Sequence, residues 1–307
     1  MIQNFNQLLE AAAKIHGKRV VVVYPTNEET LSAVTQARKI GLADFILVGD
    51  ENIIRKKLAG EISSGIEIIH EPEVNRALQK SIDLIREGRG AILMKGGIDT
   101  GTMMKVVLQE ESGIRTGRLL SDVFIFEYPA RTGNKLVMIT DGGLTLAPDL
   151  NDKVALIENS IEVAHALGNM NPKVAVLSAT EFVNPKLQSS VDAAELTKMN
   201  ERGEIKGCTV FGPLALDNAI SQEAANEKGI KSPVAGNAEI LILPSIEAAN
   251  IFAKGTTYLA GFRLAHVIVG GKIPILIPSR ADKSDAKILS IALGIIMRDH
   301  QAKSKIN

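Results

Sequence analysis

The chain has 307 residues, enough for two hydrophobic cores or one large α/β core. Its 35 Lys and Arg balance 35 Asp and Glu, so net charge is zero and no electrostatic footprint for nucleic acid is present. A single cysteine, Cys208, excludes an intramolecular disulfide and a cysteine metal cluster, and the lack of Trp leaves few base-stacking surfaces.

The opening "MIQNFNQLLEAAAKIHGK" has the pattern of an amphipathic helix and lacks the apolar core of a signal peptide. "RVVVVYP" (19–25) predicts a strand and "EETLSAVTQARKIG" (28–41) a helix, with Leu31, Val34 and Ala37 at helical spacing. "DFILVGD" (44–50), a short helix, "IEIIH" (66–70), a helix over 73–88 and "GAILMKG" (90–96) continue the alternation. Strands that are apolar on both faces between helices indicate a parallel sheet covered on both sides.

After residue 113 the pattern changes. "LLSDVFIFEYP" (119–129) and "NKLVMITDG" (134–142) are strand-like and joined by "ARTG", a hairpin signal. Alternation then resumes with a helix over 150–168, strand 173–179, helix 189–202 and a strand near 208–211. A helix over 217–228, strand 239–244, helix 246–254, a helical stretch near 256–265, strand 272–278 and a last helix over 285–300 complete the chain. The expected fold is two α/β/α domains with a cleft between them, where ligands bind. Apolar runs such as "VIVGGKIPILIP" are broken by Gly and Pro and fall short of the ~20 residues of a membrane helix. A cytoplasmic protein is expected, without nucleic-acid or membrane partners.

Two strand-to-helix turns carry candidate chemistry. In "MKGGIDTGTMMKVVL" (94–108), Gly96 and Gly97 allow close backbone approach, and the helix start offers N–H groups to an anion. Thr100 and Thr102 add hydroxyls, and Lys105 follows in the first turns. The competing reading is a tight turn with a Thr or Asp cap and a solvated lysine. The glycines do not make the dinucleotide fingerprint. In "PSRADKSDAK" (278–287), Arg280 offers a planar fork for phosphate, Ser279 donates or accepts, and Asp282 or Asp285 accepts a proton. The competing reading is a cap by Ser284 or Asp285, with Arg280 paired to Asp282. Asp217 reads as an N-cap, and "TDGGLTLAPDLNDK" (140–153) as turn chemistry. The five histidines, His16, His70, His165, His266 and His300, show no metal spacing, and no G-x-S-x-G elbow is present.

Taken in order, "MKGGIDTGTMMKVVL", "GIRTGRLLSDVFIFE", "ITDGGLTLAPDLNDKVAL", "VFGPLALDNAI", "AGNAEILILPSIEAANIFAK" and "GKIPILIPSRADKSDAK" resemble the phosphate acetyltransferase/phosphate butyryltransferase family, the butyryl branch most closely. The resemblance implies the reversible reaction acyl-CoA + phosphate = acyl phosphate + CoA. CoA and acyl-CoA are then substrates, with no permanently bound cofactor and no metal. It also implies an isocitrate/isopropylmalate dehydrogenase-like pair of α/β domains and a homodimer or larger homo-oligomer. The C-terminal segment returns to the first domain, giving 1–133 with 279–307, and 134–278 as the second domain.

A CoA thiol with a pKa of ~8.5 needs a base as sulfur attacks the acyl phosphate carbonyl. On the resemblance that base is Asp285; the family's aspartate sits one residue farther from the Ser-Arg pair, so Asp282 is the alternative. Ser279 hydrogen-bonds the oxyanion or the thiol, Arg280 and Lys105 hold the phosphoryl group, and Thr100 and Thr102 match a hydroxyl-bearing phosphate loop. Ala265, His266 and Val267 border the same pocket. Two rivals are a metal-dependent decarboxylating dehydrogenase of the same architecture and a catalytically silent acyl-CoA binding protein.

Overall fold

The computed structural model describes residues 1–58, 64–130 and 133–304. In chain order the first elements are α1 (Phe5–Ala13), β1 (Arg19–Val23), α2 (Glu28–Lys39), β2 (Asp44–Gly49), α3 (Glu51–Leu58), β3 (Ile66–His70), α4 (Val74–Arg86), β4 (Ile92–Lys95) and α5 (Thr100–Val107). There follow β5 (Ser121–Ala130), β6 (Gly133–Thr140), α6 (Leu150–Ala166), β7 (Lys173–Leu177), α7 (Gln188–Glu201), β8 (Thr209–Leu214), α8 (Leu216–Ile220), α9 (Gln222–Glu227), β9 (Ile240–Ile242) and α10 (Ile246–Tyr258). Last come β10 (Leu264–Val269), β11 (Ile275–Leu276) and α11 (Ser284–Ser304).

The chain divides into two compact units, Phe5–Arg118 with Leu264–Asn307, and Met1–Asn4 with Leu119–Arg263. In the first of these the strand order is β3-β2-β1-β4-β11-β10. All neighbours are parallel except β10, which runs antiparallel to β11. Val20 to Val23 and Ile92 to Met94 are fully buried, which is why β1 and β4 read as unbroken apolar runs. The sheet grows outward from β1 through β2 to β3, and then β4 is added on the other side of β1. Such a reversal leaves a crevice at the carboxyl ends of the strands, the usual ligand position in open α/β sheets. β1, β4 and β11 are parallel, so Tyr24, Lys95 and the segment after Leu276 leave the sheet at that same edge. α11 is buried from Lys287 to Met297, so its sequence is apolar nearly all round.

In the other unit the order is β5-β6-β9-β7-β8, with only the β5/β6 hairpin antiparallel. Its core includes Phe126, Val137, Leu214 and Leu241, with Phe262 stacked on Phe126 at 5.9 Å between ring centroids. No helix among the described residues is long and apolar enough to cross a membrane.

Several expected boundaries move. The units part at 118/119 and 263/264, not at 133/134 and 278/279. β5 and β6 pair from Phe124↔Ile139 to Ala130↔Gly133, so a boundary between them would cut a hairpin. β11 pairs with β4 and with β10, which holds both late strands in the first unit. Of the hairpin signal "ARTG", Arg131 and Thr132 lie outside the described residues. Residues 264–269, partly read as helix, form the fully buried strand β10, and the expected strand 272–278 shrinks to Ile275–Leu276. The expected helix 217–228 is two short helices, because Ser221 is extended and caps α9 through its side chain to Ala224 N.

Candidate active site

The turn from β4 to α5 is held almost entirely by itself and by the neighbouring β1 loop. Gly96 N–H donates to Val23 O at 2.9 Å and Gly97 N–H to Tyr24 O at 2.7 Å. A Cβ on Gly96 would stand 2.4 Å from Val23 O, and one on Gly97 2.1 Å from Thr26 Oγ1. The close approach these glycines permit is therefore between two loops of the protein itself. Asp99 is the N-cap of α5: its carboxylate accepts from Thr102 N–H at 2.8 Å and from the Thr102 hydroxyl at 2.6 Å. Thr102 is thus engaged by the cap, while Thr100 is the half-buried first residue of the helix. Lys105 is exposed in the last turn, about 7.5 Å along the axis from Thr100 at 1.5 Å per residue.

The turn from β11 to α11 is built differently. Asp282 N–H donates to Ser279 O at 3.1 Å, and the Asp282 carboxylate accepts from Ser279 N–H at 2.7 Å, which closes the turn from both sides. Ser279 Oγ accepts from Ala281 N–H at 3.3 Å, so its own proton is left to donate elsewhere. Arg280 is exposed at the tip and forms no ion pair among the described residues; the expected pairing with Asp282 is absent. Ser284 and Asp285 lie inside the first turn of α11, and Ser284 N–H donates to Glu29 Oε2 at 2.8 Å, a carboxylate carried by α2. Asp285 is exposed on that first turn.

Two lysines that sequence reasoning passed over lie beneath this turn. Lys287, fully buried in α11, donates from Nζ to Ser279 O at 3.0 Å and to Asp282 O. It clamps the backbone of the turn from within. Lys95, the last residue of β4, is also buried and donates to Ile98 O at 3.4 Å. Burial is the main cause pushing the Lys95 pKa down, with Arg280 and Lys287 adding to it and Asp282 and Asp99 opposing. The Asp99 carboxyl is held low, first by the Thr102 hydrogen bonds and also by Arg280. The two turns therefore share one electrostatic neighbourhood, with Arg280 and Lys95 at its centre. A signal for Lys95 was available: a lysine ending an otherwise apolar strand. For Lys287 the signal was a cation directly ahead of the apolar run "ILSIALGIIM" (288–297).

β10 brings one of its three expected residues to this neighbourhood. His266 Nε2 lies 4.0 Å from Asp282 Oδ2, and His266 N–H donates to Ser290 Oγ at 3.1 Å. Ala265 and Val267 flank it on a strand, so their side chains take the opposite face, where both are fully buried. Asp217 is not an N-cap; it pairs with Lys228 at 3.1 Å on α8. In "TDGGLTLAPDLNDK", Asp141 accepts from the N–H groups of Gly143, Leu144 and Thr145, and Asp149 forms a capping box with Asp152. Both are the turn chemistry expected there.

Comparison with known proteins decides the kinship. Residues 66–295 match the family described as phosphate acetyl/butaryl transferase. A phosphate butyryltransferase of Clostridium acetobutylicum is 41% identical over 300 residues, covering 97% of this chain and 99% of that protein. The chain belongs to this family. A phosphate acetyltransferase of Thermotoga maritima is likewise 41% identical, over 95% of this chain and 99% of its own length. A crystal structure of a branched-chain phosphotransacylase from Enterococcus faecalis superposes with a TM-score of 0.82 at 31% identity, covering 92% of this chain and 99% of that one. Butyryl and acetyl enzymes thus stand at the same identity, and membership in the family does not choose among acyl groups.

Proposed function

We propose that this protein transfers a short-chain acyl group, butyryl by preference, between CoA and inorganic phosphate. In one direction phosphate oxygen attacks the thioester carbonyl and the C–S bond breaks. In the other, CoA sulfur attacks the acyl phosphate carbonyl, the C–O bond breaks and phosphate leaves. The observation that carries this reading is the turn after β11: Arg280, without an ion-pair partner among the described residues, at a strand end beside Ser279 and two aspartates.

The chain's own residues supply each task. The Arg280 fork grips phosphoryl oxygens, and the Ser279 hydroxyl, whose proton is free to donate, meets the oxyanion that develops at the carbonyl. Asp285, exposed on the first turn of α11, takes the thiol proton as sulfur attacks. Asp282 already receives Ser279 N–H and is the alternative base. Thr100 and Lys105 add donors and charge from α5, and Thr102 acts through the Asp99 cap. His266, 4.0 Å from Asp282, borders the pocket. CoA is a substrate here, with no resident cofactor, and the enzyme is read as a cytoplasmic homo-oligomer.

The test is CoA release from acetyl-, butyryl- and isobutyryl-CoA with and without phosphate, followed with a thiol reagent. Cys208 will not obscure it: burial pushes its thiol pKa up to about 12, so it stays protonated. Phosphate-dependent release with butyryl-CoA ranked first in kcat/KM is expected. Release without phosphate would indicate a thioesterase, and no release with CoA still bound would indicate a binding protein.

A further inference from the structure

Lys95 is 3% exposed, yet its ammonium, which has three N–H donors, makes a single hydrogen bond among the described residues, the 3.4 Å contact to Ile98 O. A buried charge so poorly matched is costly unless something else meets it. The neighbouring groups do not. Lys287 spends its ammonium on Ser279 O and Asp282 O. Asp99 is engaged by Thr102, and Asp282 by Ser279 N–H. Around Lys95 the cations Arg280 and Lys287 face the carboxylates Asp99 and Asp282, and Glu29 adds its charge on the side of Lys287. None of these carboxylates forms an ion pair with Lys95 among the described residues, so its ammonium stays unmatched at the shared carboxyl ends of β4 and β11.

We propose that Lys95 is a phosphate-binding residue of this enzyme, its buried ammonium meeting the phosphoryl oxygens that Arg280 grips from the exposed side. The inference rests on the transferase reading above and adds a residue to it. Burial makes the contact strong, because the ammonium meets the anion away from competing water. It also makes Lys95 a liability when phosphate is absent.

Lys95→Met keeps the apolar stem and removes the charge. The expected KM for phosphate rises about 10- to 100-fold, the loss typical of a hydrogen bond to a charged group, while the KM for acyl-CoA stays within about twofold. Without phosphate the variant should melt at the same or a higher temperature than wild type, since an uncompensated buried charge is gone. Added inorganic phosphate should raise the melting temperature of wild type and not of the variant. An unchanged phosphate KM would overturn the assignment. So would a lower melting temperature accompanied by parallel rises in both KM values, the mark of a purely structural lysine. If Lys95→Met fails to fold, Lys95→Gln carries the same readouts, and failure of both would also make the role structural. Phosphate-independent CoA release by wild type would defeat the transferase reading alone, leaving the phosphate-dependent melting shift to judge Lys95.

Discussion

Lys153 in α6 and Lys95 at the end of β4 are both buried lysines, one in each compact unit, and their surroundings are opposite. Lys153 Nζ lies against Asp192 Oδ2, whose other oxygen accepts from Gln188 Nε2 at 2.7 Å, so the charge is matched within the protein. Lys95 has one long contact and no ion pair among the described residues, with Arg280 and Lys287 acting against the influence of Asp282 and Asp99. A matched buried ion ties two helices together and asks nothing of a ligand. An unmatched one lowers stability and is sustained by what binds it.

The sharpest way to test that contrast is to remove each cation. Lys153→Met leaves the Asp192 carboxylate buried and unpaired, and should cost about 3–5 kcal/mol of stability, read by denaturant unfolding. A loss under about 1 kcal/mol would mean the pair is weaker than its geometry implies. Arg280→Ala removes the exposed partner of Lys95 and should lower phosphate-dependent turnover about 100- to 1000-fold, with the melting temperature preserved. Unchanged phosphate kinetics would remove Arg280 from the grip.

The two aspartates separate counter-charge from base. Asp285→Asn is expected to lower kcat about 100-fold with CoA affinity retained. Asp282→Asn should chiefly disturb the turn and its charge balance, and the reverse ranking would move the base to Asp282. The smallest effect concerns pH. The folded state holds the Lys95 pKa below its unfolded value, so the charged form opposes folding at neutral pH. That penalty is relieved as pH climbs through the folded pKa toward the unfolded value of about 10.4. The stability advantage of Lys95→Met should therefore narrow with rising pH, measured as the difference between the two unfolding curves.

Much of this was legible in the chain. Strands such as "RVVVVYP" declare themselves because both faces are buried and Val20 to Val23 are all apolar. The same property hid β10: "LAHVIV" is buried at all six positions, and without alternation an apolar run does not distinguish strand from helix. Ser279, Arg280 and Asp282 were legible as a group because they are neighbours in sequence and share one turn. Glu29, Lys95 and Lys287 were not, since each reaches this neighbourhood from a different element.

By itself the sequence determined the alternating α/β architecture, the kinship, and the polar turn that ends β11, because apolar periodicity and contiguous motifs are local properties of a chain. The tertiary structure alone decided which cations are matched. Pairing depends on where strand ends and helix faces meet, and only the folded sheet brings Lys95 from β4, Lys287 from α11 and the Ser279–Asp282 turn to one edge.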